Sequence, residues 1–199
     1  QPTTDVVLSI TSSDTGEATV SGTVTFTSAN WDTPQVVTVT GIDDDIIDGT
    51  INSTITVTIV DAISDDNFDD VSDQTVSVST TDDDVAGFTI TETESGTEVN
   101  ESSTTDTFKV VLNAQPTTDV QISVTSADTG EVTASPATLT FTPANWDIVQ
   151  IVTVTGINDS VDDESQITAV TLSIVDANSD DDFDDVADQI VSVTTTDND

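Results

Sequence analysis

Residues 144–157 read Ala144-Asn145-Trp146-Asp147-Ile148-Val149-Gln150-Ile151-Val152-Thr153-Val154-Thr155-Gly156-Ile157. From Val152 onward apolar side chains alternate with hydroxyls, the period of two that puts one kind on each face of an extended strand. β-branched residues dominate the run, and they pack well on a pleated, half-buried surface. The same signature occurs earlier as Ala29-Asn30-Trp31-Asp32, leading into Val37-Thr38-Val39-Thr40-Gly41-Ile42. The chain repeats itself.

Outward from that stretch the two copies stay in step. Gln1-Pro2-Thr3-Thr4-Asp5-Val6 returns as Gln115-Pro116-Thr117-Thr118-Asp119-Val120, with one extra residue entering the second copy near Pro136. Phe68-Asp69-Asp70-Val71 returns as Phe183-Asp184-Asp185-Val186, and Thr80 to Asp84 as Thr195 to Asp199. Val85–Ala114 has no counterpart in the first copy. The repeat predicts two domains: 1–84, an incomplete first repeat lacking its two opening strands, and 85–199, a complete second repeat. The first is expected to be completed from outside 1–84, either by chain reaching about 30 residues ahead of Gln1 or by a neighbouring molecule, as in a fibre.

In 85–199 the alternation predicts strands at roughly 86–93, 106–114, 119–126, 131–141, 148–157, 166–175 and 189–196, separated by Asp, Asn, Ser, Gly and Pro. Short strands at this spacing predict an all-β fold of tandem antiparallel immunoglobulin-like β-sandwiches. Phe88, Phe108, Val110, Leu112, Phe141, Val152 and Val154 should face inward and Lys109 outward. A parallel β-helix, the other common home of acidic repeats, needs a far shorter period.

Thirty-nine acidic residues stand against one basic residue, Lys109, for a formal net charge of −38. Phosphate would be repelled, so nucleic acid is excluded as a partner. No apolar run approaches the ~18 residues of a membrane-spanning helix, so no membrane insertion is expected. His, Cys, Tyr and Arg are absent, so none of these can act as general base, nucleophile or oxyanion donor, and no catalytic residues are expected. Paired carboxylates could hydrolyse glycosides, but acids recurring at strand ends fit metal ligation better.

Those acids gather at Glu92/Glu94, Glu98/Glu101, Asp128/Glu131, Asn158-Asp159, Asp162-Asp163-Glu164, Asp176 to Asp188 and Asp197/Asp199. Alternate loops of a sandwich leave from the same end, so 98–104, 127–131, 158–165 and 197–199 can converge. Converging carboxylates repel unless a cation sits among them, and calcium takes about 6–8 oxygen ligands in irregular geometry. Zinc would want His or Cys. A solvated halophilic face is the competing reading. The 176–188 stretch resembles the start of an EF-hand loop without its Gly and Glu, and reads equally as an ion loop or a solvated one. Trp31 and Trp146 read as lids on the core or as a carbohydrate platform.

Glu101 precedes Phe108-Lys109-Val110-Val111-Leu112. Ser126-Ala127-Asp128-Thr129-Gly130-Glu131, Leu139-Thr140-Phe141-Thr142-Pro143, Val154-Thr155-Gly156-Ile157-Asn158-Asp159 and a closing Asp197-Asn198-Asp199 follow in order. In that order and spacing, 85–199 resembles a Calx-β domain, the module of sodium/calcium exchangers, integrin β4 and large bacterial surface proteins. The resemblance implies calcium ligands at one sandwich end: Glu101, Glu131, Asp159, Asp163, Asp197 and Asp199 in the second copy. In the first copy it implies Glu17, Asp43, Asp44, Asp48, Asp82, Asp83 and Asp84. Asn158 and Asn198 stand where Asp43 and Asp83 stand, which implies fewer ions than a full cluster. It further implies a calcium-binding structural or adhesive repeat that rigidifies a long extracellular or cell-surface protein. Its partners would be calcium and neighbouring repeats or copies of the same protein. A glycan- or protein-binding module of a surface adhesin and a calcium sensor are the alternatives.

Overall fold

A computed structural model describes residues 1–93 and 96–199; Glu94 lies outside the described residues. The chain divides into two compact units, one of residues 1–44 and 48–83, the other of 45–47 and 84–199. It is all-β, and the strands assemble as immunoglobulin-like sandwich sheets.

In the first unit the strands are β1 (Val6–Ser12), β2 (Ala18–Val20), β3 (Thr23–Phe26), β4 (Val39–Gly41), β5 (Ile51–Ile59) and β6 (Gln74–Thr80). They form a four-stranded antiparallel sheet in the order β3-β1-β5-β6 and a two-stranded pair, β2-β4. Val6, Ile10, Ala18 and Ile55 are buried.

The second unit has β7 (Phe88–Thr91), β8 (Thr97–Asn100), β9 (Thr105–Leu112), β10 (Val120–Ser126), β11 (Val132–Ser135), β12 (Thr138–Phe141), β13 (Gln150–Gly156), β14 (Gln166–Ile174) and β15 (Gln189–Thr196). A five-stranded sheet, β12-β10-β14-β15-β8, faces a four-stranded sheet, β11-β13-β9-β7. All seven side chains expected to face inward are buried, and Lys109 is exposed on β9. Phe108 stands opposite Val152 across the β9–β13 ladder. Each such side chain contributes about 1.5–3 kcal/mol by leaving water.

Two features depart from the strands expected. The stretch 131–141 is two strands, because the chain changes sheets at Pro136: β11 pairs with β13, β12 with β10. Proline has no N–H to give a ladder, and sandwich corners are made where a strand bends from one sheet to the other. Thr97–Asn100, expected to be loop, is a strand that pairs in parallel with β15, Val99 opposite Thr195.

Candidate metal centre

Glu101 is the most conspicuous acid of the second unit. It is 1% exposed, and a carboxylate is almost never buried so fully unless paired. Backbone holds it there. Its N–H donates to the Thr196 carbonyl (3.1 Å), just beyond the β8–β15 ladder. The preceding Asn100 carbonyl lies on Gly156, where a Cβ would come within 2.2 Å of it. Gly156 is glycine because another backbone crosses it.

The other acids arrive on loops from the same end. Ile157 N–H donates to the Glu131 carbonyl (2.8 Å), which ties the start of β11 to the end of β13 two residues before Asp159. Asp197 follows β15, and its Oδ2 accepts from the N–H groups of Asp163 (3.2 Å) and Glu164 (3.1 Å). Its Oδ1 accepts from Asp199 N–H (2.8 Å). Glu164 turns there with a left-handed φ of 63°. In the first unit Gly49 makes the same turn at φ 73°, where glycine pays no steric penalty. Asp82 Oδ2 accepts there from Asp48 N–H (3.0 Å) and Gly49 N–H (2.8 Å).

Carboxylate oxygens of Glu101, Asp159 and Asp199 lie within 4.8 Å of one another. Burial chiefly pushes the Glu101 carboxyl up, opposed by a hydrogen bond from Asn198 N–H and reinforced by Asp197, Asp159 and Glu131. Burial also pushes Glu131 up, with Asp163, Asp159, Asp128 and Asp197 adding repulsion. Asp197 goes the other way: the Asp199 N–H, then those of Glu164 and Asp163, hold it below the usual carboxylate range against its own burial. The structure thus draws Glu101, Glu131, Asp159, Asp163, Asp197 and Asp199 into one electrostatic neighbourhood.

Three oxygens there, Glu101 Oε2, Glu131 Oε2 and Asp163 Oδ1, are buried without a hydrogen-bond partner. Buried polar atoms are nearly always satisfied, and a buried charge is costly unless paired. The chain's single basic side chain, Lys109, is exposed on β9. An all-oxygen donor set with orphaned carboxylates suits a hard cation of irregular coordination, which is calcium's chemistry.

The first unit assembles less. Burial pushes Glu17 up first, then the charges of Asp48, Asp14 and Asp44. With Asp82 bonded to the Asp48 backbone, Glu17, Asp44, Asp48 and Asp82 share one strand end. Asp43 and Asp83 are exposed, and Asp84 falls in the second unit. Glu101 has no counterpart, because it belongs to the segment that the first copy lacks.

Some of the site was not foreseen. Asn198 Nδ2 donates to Asn158 Oδ1 (3.0 Å) and to Ser102 Oγ (3.4 Å). The two Asp-to-Asn differences between copies are therefore one bonded amide pair, and their joint change was the available signal. Asp128 caps a turn, its Oδ1 accepting from Gly130 N–H (2.8 Å), and stays exposed.

The 176–188 loop has another purpose. Asp180 Oδ2 accepts from Thr117 N–H (2.6 Å), Thr117 Oγ1 (2.7 Å) and Thr118 N–H (2.8 Å), and its Oδ1 from Asp182 N–H (3.2 Å). Burial alone would raise its pKa, but these donors outweigh it and hold the carboxyl low. Asp65 does the same with Thr3, Thr4 and Asn67. The recurring Gln-Pro-Thr-Thr-Asp motif supplies the donors of a clamp, and Asp180 is spent on it.

No protein-family model matches the chain, and no curated protein does. Solved structures with similar folds include an apo-form Calx CBD1 domain: 17% identity, TM-score 0.40, covering 56% of this chain and 98% of that one. Domains 4 and 5 of the S-layer protein SbsC match at 18% identity and TM-score 0.41, covering 95% and 70%. A Bacteroides ovatus GH5 xyloglucanase matches at 12% identity and TM-score 0.38, covering 55% of this chain and 19% of that chain.

Proposed function

We propose that the chain is a non-enzymatic, calcium-binding repeat module that stiffens a long extracellular or cell-surface protein. The observation that carries this is the set of three buried, partnerless carboxylate oxygens, on Glu101, Glu131 and Asp163, beside the Glu101–Asp159–Asp199 cluster. Glu101, Glu131, Asp159, Asp163 and Asp199 would hold the ion. Asp197, engaged by three N–H groups, shapes the loop and lends charge. Calcium supplies the positive charge that the chain lacks and cross-links the ends of β8, β13 and β15. In the first unit Glu17, Asp44, Asp48 and Asp82 offer a second site at the corresponding strand end. Extracellular calcium modules bind at about 10⁻⁴ to 10⁻³ M, which suits fluid outside a cell. The acid pairs serve as ligands in this reading and need no catalytic partner.

The test is a calcium titration by calorimetry and thermal melting at fixed ionic strength, calcium against sodium. At about 100-fold excess over Kd, calcium should stabilise the second unit by about 2.7 kcal/mol. Glu101→Gln should abolish that gain. Equal melting in the two salts would leave a halophilic surface as the better reading.

A further inference from the structure

Each of the three clustered carboxylates of the second unit has a neutral polar residue beside it in the chain, and those three neighbours are bonded to one another. Ser102 follows Glu101, Asn158 precedes Asp159 and Asn198 precedes Asp199. Asn198 Nδ2 donates both to Asn158 Oδ1 (3.0 Å) and to Ser102 Oγ (3.4 Å). The backbone of Asn198 reaches inward, its N–H donating to the Glu101 carboxylate. Asn158 Nδ2 in turn donates to the Asp159 carbonyl (2.9 Å), and Asp159 Oδ1 accepts from Val161 N–H (2.8 Å). Asn158, Asn198 and Ser102 are all exposed. They form an amide latch on the outer rim of the cluster, over the buried Glu101.

The latch depends on its members being uncharged. An amide carries both donors and an acceptor, so two amides can bond directly. Two ionised carboxylates are acceptors only, and they repel. The matching residues of the first copy are Asp43 and Asp83. A pair of acids at the places of Asn158 and Asn198 would need a cation between them to close the same gap. Beneath the latch the demand for one cation remains, because Glu101 is 1% exposed and its Oε2 has no partner.

We infer that the Asn158–Asn198 amide pair takes the place of a second cation, limiting this end of the second unit to one ion and holding its loops in position for that ion. The inference rests on the calcium reading above. The chain segments that carry Glu101, Asp159 and Asp199 are closed before the ion arrives, so binding costs little further ordering. Asn158 and Asn198 are positioning residues in this scheme and touch no ion. Removing partners that orient metal ligands typically weakens metal binding by about 10–100-fold.

The test is a calcium titration of the full chain by calorimetry, with melting curves in chelator and in calcium. Asn198→Ala removes the latch and keeps the backbone N–H on Glu101. It should weaken binding at the Glu101 site about tenfold and leave the number of ions unchanged. The double variant N158D/N198D should melt lower than the parent in chelator, take up one more calcium ion per chain, and recover its melting temperature in calcium. A latch that merely braced the fold would lower the melting temperature without raising the ion count. The inference is overturned if N158D/N198D binds the same number of ions as the parent, or if Asn198→Ala binds calcium as tightly as the parent. Should the double variant fail to fold, Asn198→Ala decides alone. A parent chain that binds no calcium would overturn the calcium reading and this inference together. A parent that loses one ion on Glu101→Gln, beside a double variant that gains none, would overturn this inference only.

Discussion

Asp180 and Glu101 are both buried acids, and their surroundings set them on opposite sides of the ordinary carboxylate range. Asp180 is surrounded by donors from Thr117, Thr118 and Asp182, so its ionised form is the stable one. Hydrogen bonds to a charged group are worth about 1.5–3 kcal/mol each, and the loss is larger when a buried donor is left unmade. Asp180→Asn should therefore destabilise the second unit by roughly 2–3 kcal/mol in chemical denaturation, without altering calcium stoichiometry. The pH dependence has two limbs of opposite sign. The folded pKa of Asp180 is depressed, as is that of Asp65, chiefly by the Thr3 hydroxyl. Their contribution is present above the unfolded value and is lost as pH falls through the folded one. Glu17, Glu101 and Glu131 are raised, so the folded state takes up their protons first. Stability in chelator should rise as pH falls through those raised values, then collapse at lower pH as Asp65 and Asp180 protonate. Saturating calcium should erase the rising limb, since the ion then does what the protons did. Melting curves from neutral to strongly acid pH, with and without calcium, would check both limbs.

Between residue and molecule, the contrast of Gly156 with Gly41 shows how a strand's neighbour sets its tolerance for a side chain. Gly156→Ala drives a Cβ into the Asn100 carbonyl, so β8 must move, at a cost of about 1–3 kcal/mol. Gly41→Ala meets only Thr80 Cγ2 and should stay within about 0.5 kcal/mol of the parent. Denaturant titration of the two variants would test the pair. The same elements mark what could be read from sequence. β9, β13 and β14 alternate over seven or more residues, and their inward faces were legible for that reason. β8 is four residues carrying Glu98 and Asn100, too short to show a period and paired in parallel with a strand far along the chain. The change of sheet at Pro136 was masked because β-branched and hydroxyl residues continue on both sides of it. At the site, the carboxylates could be found from where they recur. The burial of Glu101 could not, because it depends on β8 lying across Gly156, a contact made only in three dimensions.

The whole chain carries a formal net charge of −38, and self-repulsion on that scale works against compactness. Simple salt should therefore stabilise both units by screening, and calcium should add a further increment, carried in the second unit by the Glu101 site. Double-mutant comparison of Glu101→Gln with Asp199→Asn would show that increment lost once rather than twice, since both serve one ion. The parallel pairing of β8 with β15 has a mechanical consequence. When the second unit is pulled by its two ends, β7 can unzip from β9 one hydrogen bond at a time, but the load then reaches β8. Tension drags β8 towards its own beginning and β15 towards its own end. Because the strands run in the same direction, the Thr97–Asn100 ladder is sheared, and its bonds must break together. Stretched in a force spectrometer, the second unit should rupture at a higher force in calcium than in chelator, because the ion fastens the shared end of the sheared pair.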